Sequence, residues 1–375
     1  GQLRSMGDIS AAIRNNRIIN FANPAAYTAT DSTTFMFDIG VSGMYSHFRT
    51  SDASSGKWNA NLEYITLQVP LGRYFAMSAG FMPYTVVGYK FGFSDSLQVP
   101  TEPHQSDRYI NYSQSFSGDG GITQIYLGVA GEIAKHVSLG ANIYYMWGNV
   151  NNYRDLTFAS SLYESERVQS ILHVSTVRAR FGLQAYHTFA KKHNVTLGFA
   201  YEFKKKLGSD FTKLETIQND TIVYPNSNNR FDLPAYYGVG ASYTYDNRLT
   251  IGVDYTMQQW SKAMYENRVD SLQDTYQIAL GVSYQHNPFS RKYVDRLYWR
   301  VGAKLYNSYL KNQNASNFGI SFGVGLPLRS SISMINATME YNHHGTDMGM
   351  NLREDIFKLT VSACFGETWF FKRKI

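Results

Sequence analysis

The sequence predicts an all-β protein, a transmembrane antiparallel β-barrel of about 14 strands with an N-terminal plug in its lumen. Three observations predict this class. Aromatic residues make up 15% of the 375-residue chain and charged residues only 17%, a balance that is unusual for a soluble domain. No apolar run approaches the roughly 18 residues that a membrane-spanning helix needs. From residue 33 onward, apolar residues alternate with small or polar ones, as in strands with one face in lipid.

The first 32 residues do not alternate, and we expect them to form the plug. They mix Arg4, Arg14 and Arg17 with Asp8, and they end in the turn-like run from Phe21 to Tyr27. The Asn-Pro pair in that run disfavours a helix, because the proline ring restricts the preceding residue. The segment could also be a disordered tail, but its several apolar residues need a surface to cover them. The predicted division is a plug, or hatch, over residues 1–32 and a barrel over residues 33–375.

The clearest strand covers residues 317–327. Its apolar side chains, from Phe318 to Leu326, share one face, and Gly319, Ser321, Gly323 and Gly325 share the other. The same alternation predicts fourteen strands, an even number, near residues 35–42, 64–69, 75–89, 124–129, 137–145, 177–184, 195–202, 237–243, 249–255, 276–284, 297–305, 317–327, 335–341 and 357–365.

The predicted connections alternate in length. Short ones fall near Gly72, Ala134, Lys192, Asn247 and Arg329, and long ones at residues 92–120, 149–168 and 207–233. Short periplasmic turns and long external loops are typical of outer-membrane barrels. We therefore expect a bacterial outer-membrane location, with the long loops extracellular and both chain termini periplasmic.

The third predicted strand contains Pro83. Proline cannot donate a ladder hydrogen bond, so its position inside a strand predicts a bulge, a kink or a local gap in the wall. Two interpretations are open: a bulge near the rim without function, or a lateral window between the lumen and the lipid.

Charged and aromatic side chains point into the lumen by the same alternation. The candidate ligand-binding residues are Arg178, Arg180, Tyr126, Tyr144, Tyr298 and Arg300. The candidate charge network comprises Asp38, Glu202, Asp254, Lys304, Glu340 and Lys358. Because buried charges need partners, the network is expected to hold plug residues such as Arg14 and Arg17. The alternative is a polar site for an anionic head group.

Several function classes lack support in the sequence. The net charge of +6 is scattered, which argues against a nucleic-acid-binding surface, and the lone Cys364 excludes an intramolecular disulfide. We find no nucleophile beside a base, no phosphate-binding glycine loop and no Cys/His metal pattern. The prediction is a protein that is not an enzyme and needs neither a metal nor a cofactor.

Three features carry a resemblance to a known family: Asn23-Pro24-Ala25 at the end of the plug, Gly80-Phe-Met-Pro-Tyr84 in strand three, and an aromatic C-terminal strand. With about fourteen strands, the chain resembles the FadL/TodX family of outer-membrane transporters. The ending 369–375 looks like the branch of this family found in Bacteroidota.

The resemblance implies uptake of hydrophobic compounds such as long-chain fatty acids. It also implies a lateral opening marked by Gly80, Pro83 and Tyr84, and a hatch containing Asn23, Pro24 and Ala25. The expected partners are outer-membrane lipid and a hydrophobic ligand. Residues 94–120 are polar where the family has an apolar capture groove. PorV-type barrels of secretion complexes are similar too, so the alternative is an adaptor subunit bound to other outer-membrane proteins.

Overall fold

The structure is a computed structural model that describes residues 1–50, 53–99, 108–160, 162–218, 220–224, 230–268, 272–311, 317–328, 332–345 and 353–368. The predicted turn at Arg329 and the aromatic ending 369–375 lie outside these residues.

Strands dominate the described chain. They are β1 (Thr34–Arg49), β2 (Ser54–Pro70), β3 (Phe75–Val99), β4 (Arg108–Ala134), β5 (Val137–Phe158), β6 (Glu166–Phe189), β7 (His193–Glu202), β8 (Lys205–Lys206), β9 (Ser209–Ile217), β10 (Asp220–Tyr224), β11 (Asp232–Leu233), β12 (Tyr236–Tyr245), β13 (Leu249–Gln258), β14 (Thr275–Gln285), β15 (Tyr298–Tyr306), β16 (Asn317–Pro327), β17 (Met334–Gly345) and β18 (Arg353–Thr368).

Fourteen of these strands form a closed antiparallel barrel. Each of β1 to β6 pairs with the next strand, β7 pairs with β12, and each of β12 to β17 again pairs with the next strand. The barrel closes where β18 pairs with β1 over the full length of β1, from Thr34–Thr368 to Arg49–Arg353. The predicted antiparallel β-barrel and its strand number are confirmed.

The helical elements are short 3-10 turns, at Arg4–Met6, Pro24–Ala29, Trp260–Lys262 and Tyr293–Arg296. None of the helices in the described ranges has the length and apolar character needed to cross a membrane.

The two faces of the barrel wall follow the predicted alternation. On β5, the side chain of Ile143 is 60% exposed on the outside and that of the next residue, Tyr144, is 1% exposed inside. Outward-facing apolar residues continue around the wall, whereas the buried inner positions carry mainly small, polar and charged residues. This arrangement is the one expected of a barrel that faces lipid outside.

The predicted long loops are mostly strands, which corrects the sequence analysis. Strands β3 and β4 contain 25 and 27 residues, far more than the roughly 9–11 that span a membrane. Beyond the membrane-spanning part, β3 to β6 and the hairpin β9–β10 continue as a six-stranded sheet, called here the outer sheet. Most of its strands lack the continuous outward apolar stripe that revealed the other strands, although β3 keeps Phe91, Phe93 and Leu97 exposed on one face.

Candidate functional site

The N-terminal residues 1–33 contact the inner wall on many sides. The backbone N–H of Gly7 donates to Ser321 of β16 (3.1 Å), and those of Ser10 and Ala11 donate to the Asp254 carboxylate of β13 (2.5 and 2.7 Å). Across the lumen, Gln68 of β2 donates to the carbonyl oxygen of Tyr27 (2.9 Å). These bonds satisfy buried backbone groups that no ladder could serve.

The segment approaches the wall so closely because a band of glycines lines it. The band consists of Gly140, Gly182, Gly198, Gly240, Gly252, Gly281, Gly302 and Gly323, on eight of the strands. A Cβ atom on Gly182 would lie 2.8 Å from Cδ of Pro24, and one on Gly198 would overlap the backbone of Ala11. The inward glycines therefore form the surface on which the segment rests.

The predicted hatch residues Asn23, Pro24 and Ala25 lie together and are fully buried or nearly so. Asn23 accepts a hydrogen bond from the N–H of Ala25 (3.2 Å) and caps the 3-10 turn that begins at Pro24. Its side-chain amide donates to the carbonyl oxygen of Ala11 (2.7 Å). The Asn-Pro pair thus joins two parts of the segment.

Four of the six predicted ligand residues form one cluster on β4, β5 and β6. Glu202 accepts from Arg178 (2.6 Å) and also from Arg180. The guanidinium carbon of Arg178 lies 4.8 Å from the ring centre of Tyr144, and the rings of Tyr126 and Tyr144 are 5.6 Å apart. One carboxylate thus binds two guanidinium groups. Nε of Arg178 is buried and has no hydrogen-bond partner among the described residues.

The other two, Tyr298 and Arg300, lie elsewhere, so the six residues do not form a single site. Arg300 donates to Asn336 (2.9 Å) and to the side-chain oxygen of Gln2 (3.3 Å). Tyr298 accepts a hydrogen bond from Arg17. Alternation places all six inside the barrel but does not give their positions around it.

The predicted charge network has different members from those expected. Lys304 bonds Asp8 (2.5 Å) and lies 3.7 Å from Glu340, while Lys358 bonds Glu63 (2.7 Å). Arg4 connects Glu63 with Glu340. The N-terminal residues in this network are therefore Arg4 and Asp8, and the barrel residue Glu63 was missed.

The remaining predicted members do not belong to this network. Glu202 pairs with the two arginines of β6, and Asp254 binds backbone N–H groups. Asp38 accepts from the Tyr64 hydroxyl at 3.2 Å. Arg14 and Arg17 form no ion pair within the described ranges, since their guanidinium groups contact tyrosines 186 and 298 instead.

Electrostatics in the N-terminal segment follow from these contacts. Burial opposes the charge of Arg4, but Asp8, Glu63 and Glu340 outweigh it and raise the pKa of this guanidinium. Burial likewise opposes the charge of the Asp8 carboxyl, but Lys304 and Arg4 hold its pKa below the ordinary value. Both groups therefore stay charged and paired.

The barrel wall changes at Pro83. The pairing of β2 with β3 runs from Pro70–Ala76 to Ile65–Phe81 and then stops, although β2 extends back to Ser54 and β3 on to Val99. On its other edge β3 stays paired with β4, with a predicted bulge between Pro83 and Thr85. Beyond this point, the Lys57 ammonium of β2 reaches across to β3 and donates to the Gly88 carbonyl oxygen (2.6 Å).

The predicted opening residues lie at this change. Tyr84 is the extra residue of the bulge, and it points inward against Arg178, with 4.8 Å from the guanidinium carbon to its ring centre. Gly80 lies one pair below the end of the ladder, where a Cβ would be 2.6 Å from the Tyr126 ring.

Apolar side chains fill the lumen beside this part of the wall. Met82, Ile122, Met146 and Val174 are buried and point inward, and Phe211 packs against them. The lumen next to the unpaired edges is therefore mainly apolar, and the ionic cluster of Arg178 begins beside it at Tyr84. No group of three or more His, Cys, Asp or Glu residues that could hold a metal occurs in the part of the chain that the structure describes.

Several solved structures share this fold. The CymD monoaromatic hydrocarbon channel is 12% identical, with a TM-score of 0.63, over 99% of this chain and 97% of that one. The toluene transporters TbuX of Ralstonia pickettii and TodX of Pseudomonas putida are 12% and 15% identical, with TM-scores of 0.62 and 0.63, and each match covers 98% of this chain and 97% of the other. These proteins are transport channels and not enzymes.

Among curated protein sequences, none matches the chain significantly. The family model of BamG matches residues 1–375, which is the whole chain. The chain belongs to the BamG family.

Proposed function

We propose that this barrel admits hydrophobic small molecules across the bacterial outer membrane, through a lateral opening between β2 and β3 at Pro83. The observation that carries this proposal is the end of the β2–β3 ladder at Ile65–Phe81, while both strands continue. Closed barrels normally satisfy every edge, so a long unpaired pair of edges calls for an explanation. Passage of a ligand between the two strands would explain these unpaired edges.

The lumen behind the edges supports an apolar ligand. A hydrocarbon that passes between the strands would meet the apolar side chains of Met82, Ile122 and Met146. The similar solved structures include two toluene transporters, which agrees with a hydrophobic substrate.

A fatty-acid-like ligand would place its carboxylate at the arginine cluster. Arg178 and Arg180 share the single carboxylate of Glu202, and the buried Nε–H of Arg178 has no acceptor within the described ranges. A second carboxylate would complete the charge balance of the pair. In this proposal, residues 1–32 act as the plug below the ligand, the outer sheet is extracellular and the termini are periplasmic.

The test compares Pro83→Ala with wild type. Alanine restores a backbone donor and removes the kink, so uptake of radiolabelled oleate and toluene should fall in cells that lack other transporters for them. Gly43→Ala is the matched control, because a Cβ there meets no atom within 4 Å. Unchanged uptake in Pro83→Ala would contradict the lateral route.

The outer sheet favours a second candidate, a subunit or adaptor of a larger outer-membrane assembly. Phe91, Phe93 and Leu97 of β3 share one face and are 61%, 48% and 55% exposed. Aromatic side chains on an exposed face are typical of protein interfaces. The relation to PorV-type subunits and to a Bacteroidota branch stays a prediction.

Crosslinking mass spectrometry on native outer membranes tests this candidate. Crosslinks from the outer sheet to a second outer-membrane protein, lost in the Phe91→Ser/Phe93→Ser variant, would support the adaptor. If the wild type gives no such crosslinks while Pro83→Ala loses uptake, the transport function is supported and the adaptor is contradicted.

A further inference from the structure

A second interior site lies at the end of the barrel with the short turns. A cavity of about 840 Å³ lies between residues 13–18 of the N-terminal segment and the connections around residues 246–248 and 286–296. This volume is in the range of small-molecule sites. The cavity is separate from the apolar lumen beside β3.

Five arginines line this cavity: Arg14, Arg17, Arg248, Arg296 and Arg300. Among the described lining residues there is one carboxylate, Asp246, and it lies 3.4 Å from Nε of Arg248. The other four arginines form no ion pair with a described residue. The cavity is therefore strongly positive.

The partners of these four arginines are neutral. Arg14 donates to Thr28 (2.9 Å) and to the carbonyl oxygen of Ala25 (3.3 Å), and Arg300 donates to an amide oxygen of Asn336 (2.9 Å). Burial lowers the pKa of Arg14, whereas carboxylates raise that of Arg4 in the same segment. At Arg4 the nearby carboxylates outweigh burial, whereas at Arg14 the influence of Glu132 and Tyr186 is smaller than that of burial.

Arg296 provides the most direct observation. Its Nε atom is buried and has no hydrogen-bond partner in the described structure, while its guanidinium group lies 5.1 Å from the ring centre of Tyr293. A buried charged donor without an acceptor is destabilising, so such groups normally have a partner. Arg296 lines the cavity, so a small shift of its side chain would let this donor bind an anion there.

We propose that this cavity binds an anion carrying a phosphoryl group. Guanidinium groups match phosphate oxygens in a two-point geometry and favour a ligand with more than one negative charge. The lining residues Asn15, Asn16 and Thr244 add neutral hydrogen-bonding groups around the arginines. The phosphoryl group can belong to a soluble compound or to a lipid head group, and the site chemistry is the same for both.

The first experiment titrates pyrophosphate into the full chain in phosphatidylcholine nanodiscs at low salt, by calorimetry. Wild type should bind at one saturable site. Arg296→Gln and Arg14→Gln should each weaken binding by about tenfold or more, since each loses a charge-assisted hydrogen bond. Arg73→Gln is the control: Arg73 is an exposed arginine in the short β2–β3 turn and does not line the cavity.

The second experiment separates the two sources. Nanodiscs containing phosphatidylglycerol are analysed by native mass spectrometry after the bulk lipid is removed. Phosphatidylglycerol retained by wild type and lost by Arg296→Gln assigns a head group, and pyrophosphate binding alone assigns a soluble compound. If wild type binds neither probe, or Arg296→Gln binds like wild type, the proposal is wrong. Arg296 lies outside the barrel strands, so its variant should fold.

Discussion

At the residue scale, the inner glycines decide how the N-terminal segment fits. The segment rests on backbone rather than on side chains, so even one methyl group at Gly198 would overlap Ala11. Some charged groups in the lumen pair with two partners at once. Glu202 pairs with two arginines, and Arg4 pairs with two glutamates. Close packing and shared charges fix the same segment in different ways.

We expect Gly198→Val to displace the segment while the barrel still forms. Filling a packed contact costs about 1–3 kcal/mol, and here the segment can yield more easily than the wall. Proteolysis within residues 8–16 should become faster, while the heat-modifiable gel mobility of the barrel stays. Gly43→Val, in open space, should leave proteolysis unchanged. Equal protection of the segment in both variants would contradict this account.

Glu202→Gln should destabilise the folded barrel strongly. The change leaves two buried guanidinium groups without their carboxylate, a loss of about 3–5 kcal/mol for pairs of this kind. Urea unfolding in detergent measures this loss of the free energy of unfolding. Glu166→Gln breaks the more exposed pair with Arg154 and should cost at most about 1 kcal/mol. Similar losses in the two variants would show that burial does not set the strength of these pairs.

At the element scale, the two edges of β3 differ. Below Pro83 the strand is paired on both sides, and above it only with β4. Because the Gly88 carbonyl points toward Lys57, the N–H groups of Gly88 and Lys90 also point into the gap, and that of Tyr89 points to β4. Along this part of β3, N–H groups that are paired with β4 therefore alternate with N–H groups that point into the gap.

Hydrogen exchange should show this alternation. We expect the amides of Gly88 and Lys90 to exchange much faster than those of Tyr89 and Phe91, measured by NMR or by fragment-resolved mass spectrometry. The amides of residues 77–80 should all be slow. Uniform protection from residue 77 to residue 91 would mean that β2 pairs with β3 beyond Phe81.

The elements also show what the sequence could predict. The membrane imposes a period of two on spanning strands, so their number and faces were predictable. The strands of the outer sheet were not predictable, because strands in water need no continuous apolar face. Glu63 was missed for another reason: the register with β1 shifts from Gly40–Tyr64 to Val41–Leu62, and this bulge turns Glu63 inward beside Tyr64.

At the scale of the whole molecule, the N-terminal segment connects strands that are far apart around the barrel. It bonds β2, β13 and β16 directly, and its charges join the network of β2, β15, β17 and β18. The lumen charges could be predicted from alternation, but their partners could not, because the segment has no period from which to derive its path.

Deleting residues 1–32 should therefore open the lumen. The charges of Glu63, Lys304 and Glu340 would face water instead of Arg4 and Asp8, and the ion conductance of the barrel in planar bilayers should rise. Heat-modifiable mobility checks that the barrel has formed. Conductance equal to that of the full chain would show that these residues do not act as the plug.

The proposed lateral passage between β2 and β3 is tested most directly by joining the two strands. Cysteines at Lys57 and Gly88 can be joined by a short, reducible thiol crosslinker, and the native Cys364 is buried. Cysteines at Arg49 and Ser54, paired neighbours on β1 and β2, provide the control crosslink. We predict that crosslinking Lys57→Cys/Gly88→Cys stops oleate and toluene uptake, that reduction restores it, and that the control crosslink has no effect. Uptake that continues through the crosslinked barrel would contradict passage through this wall.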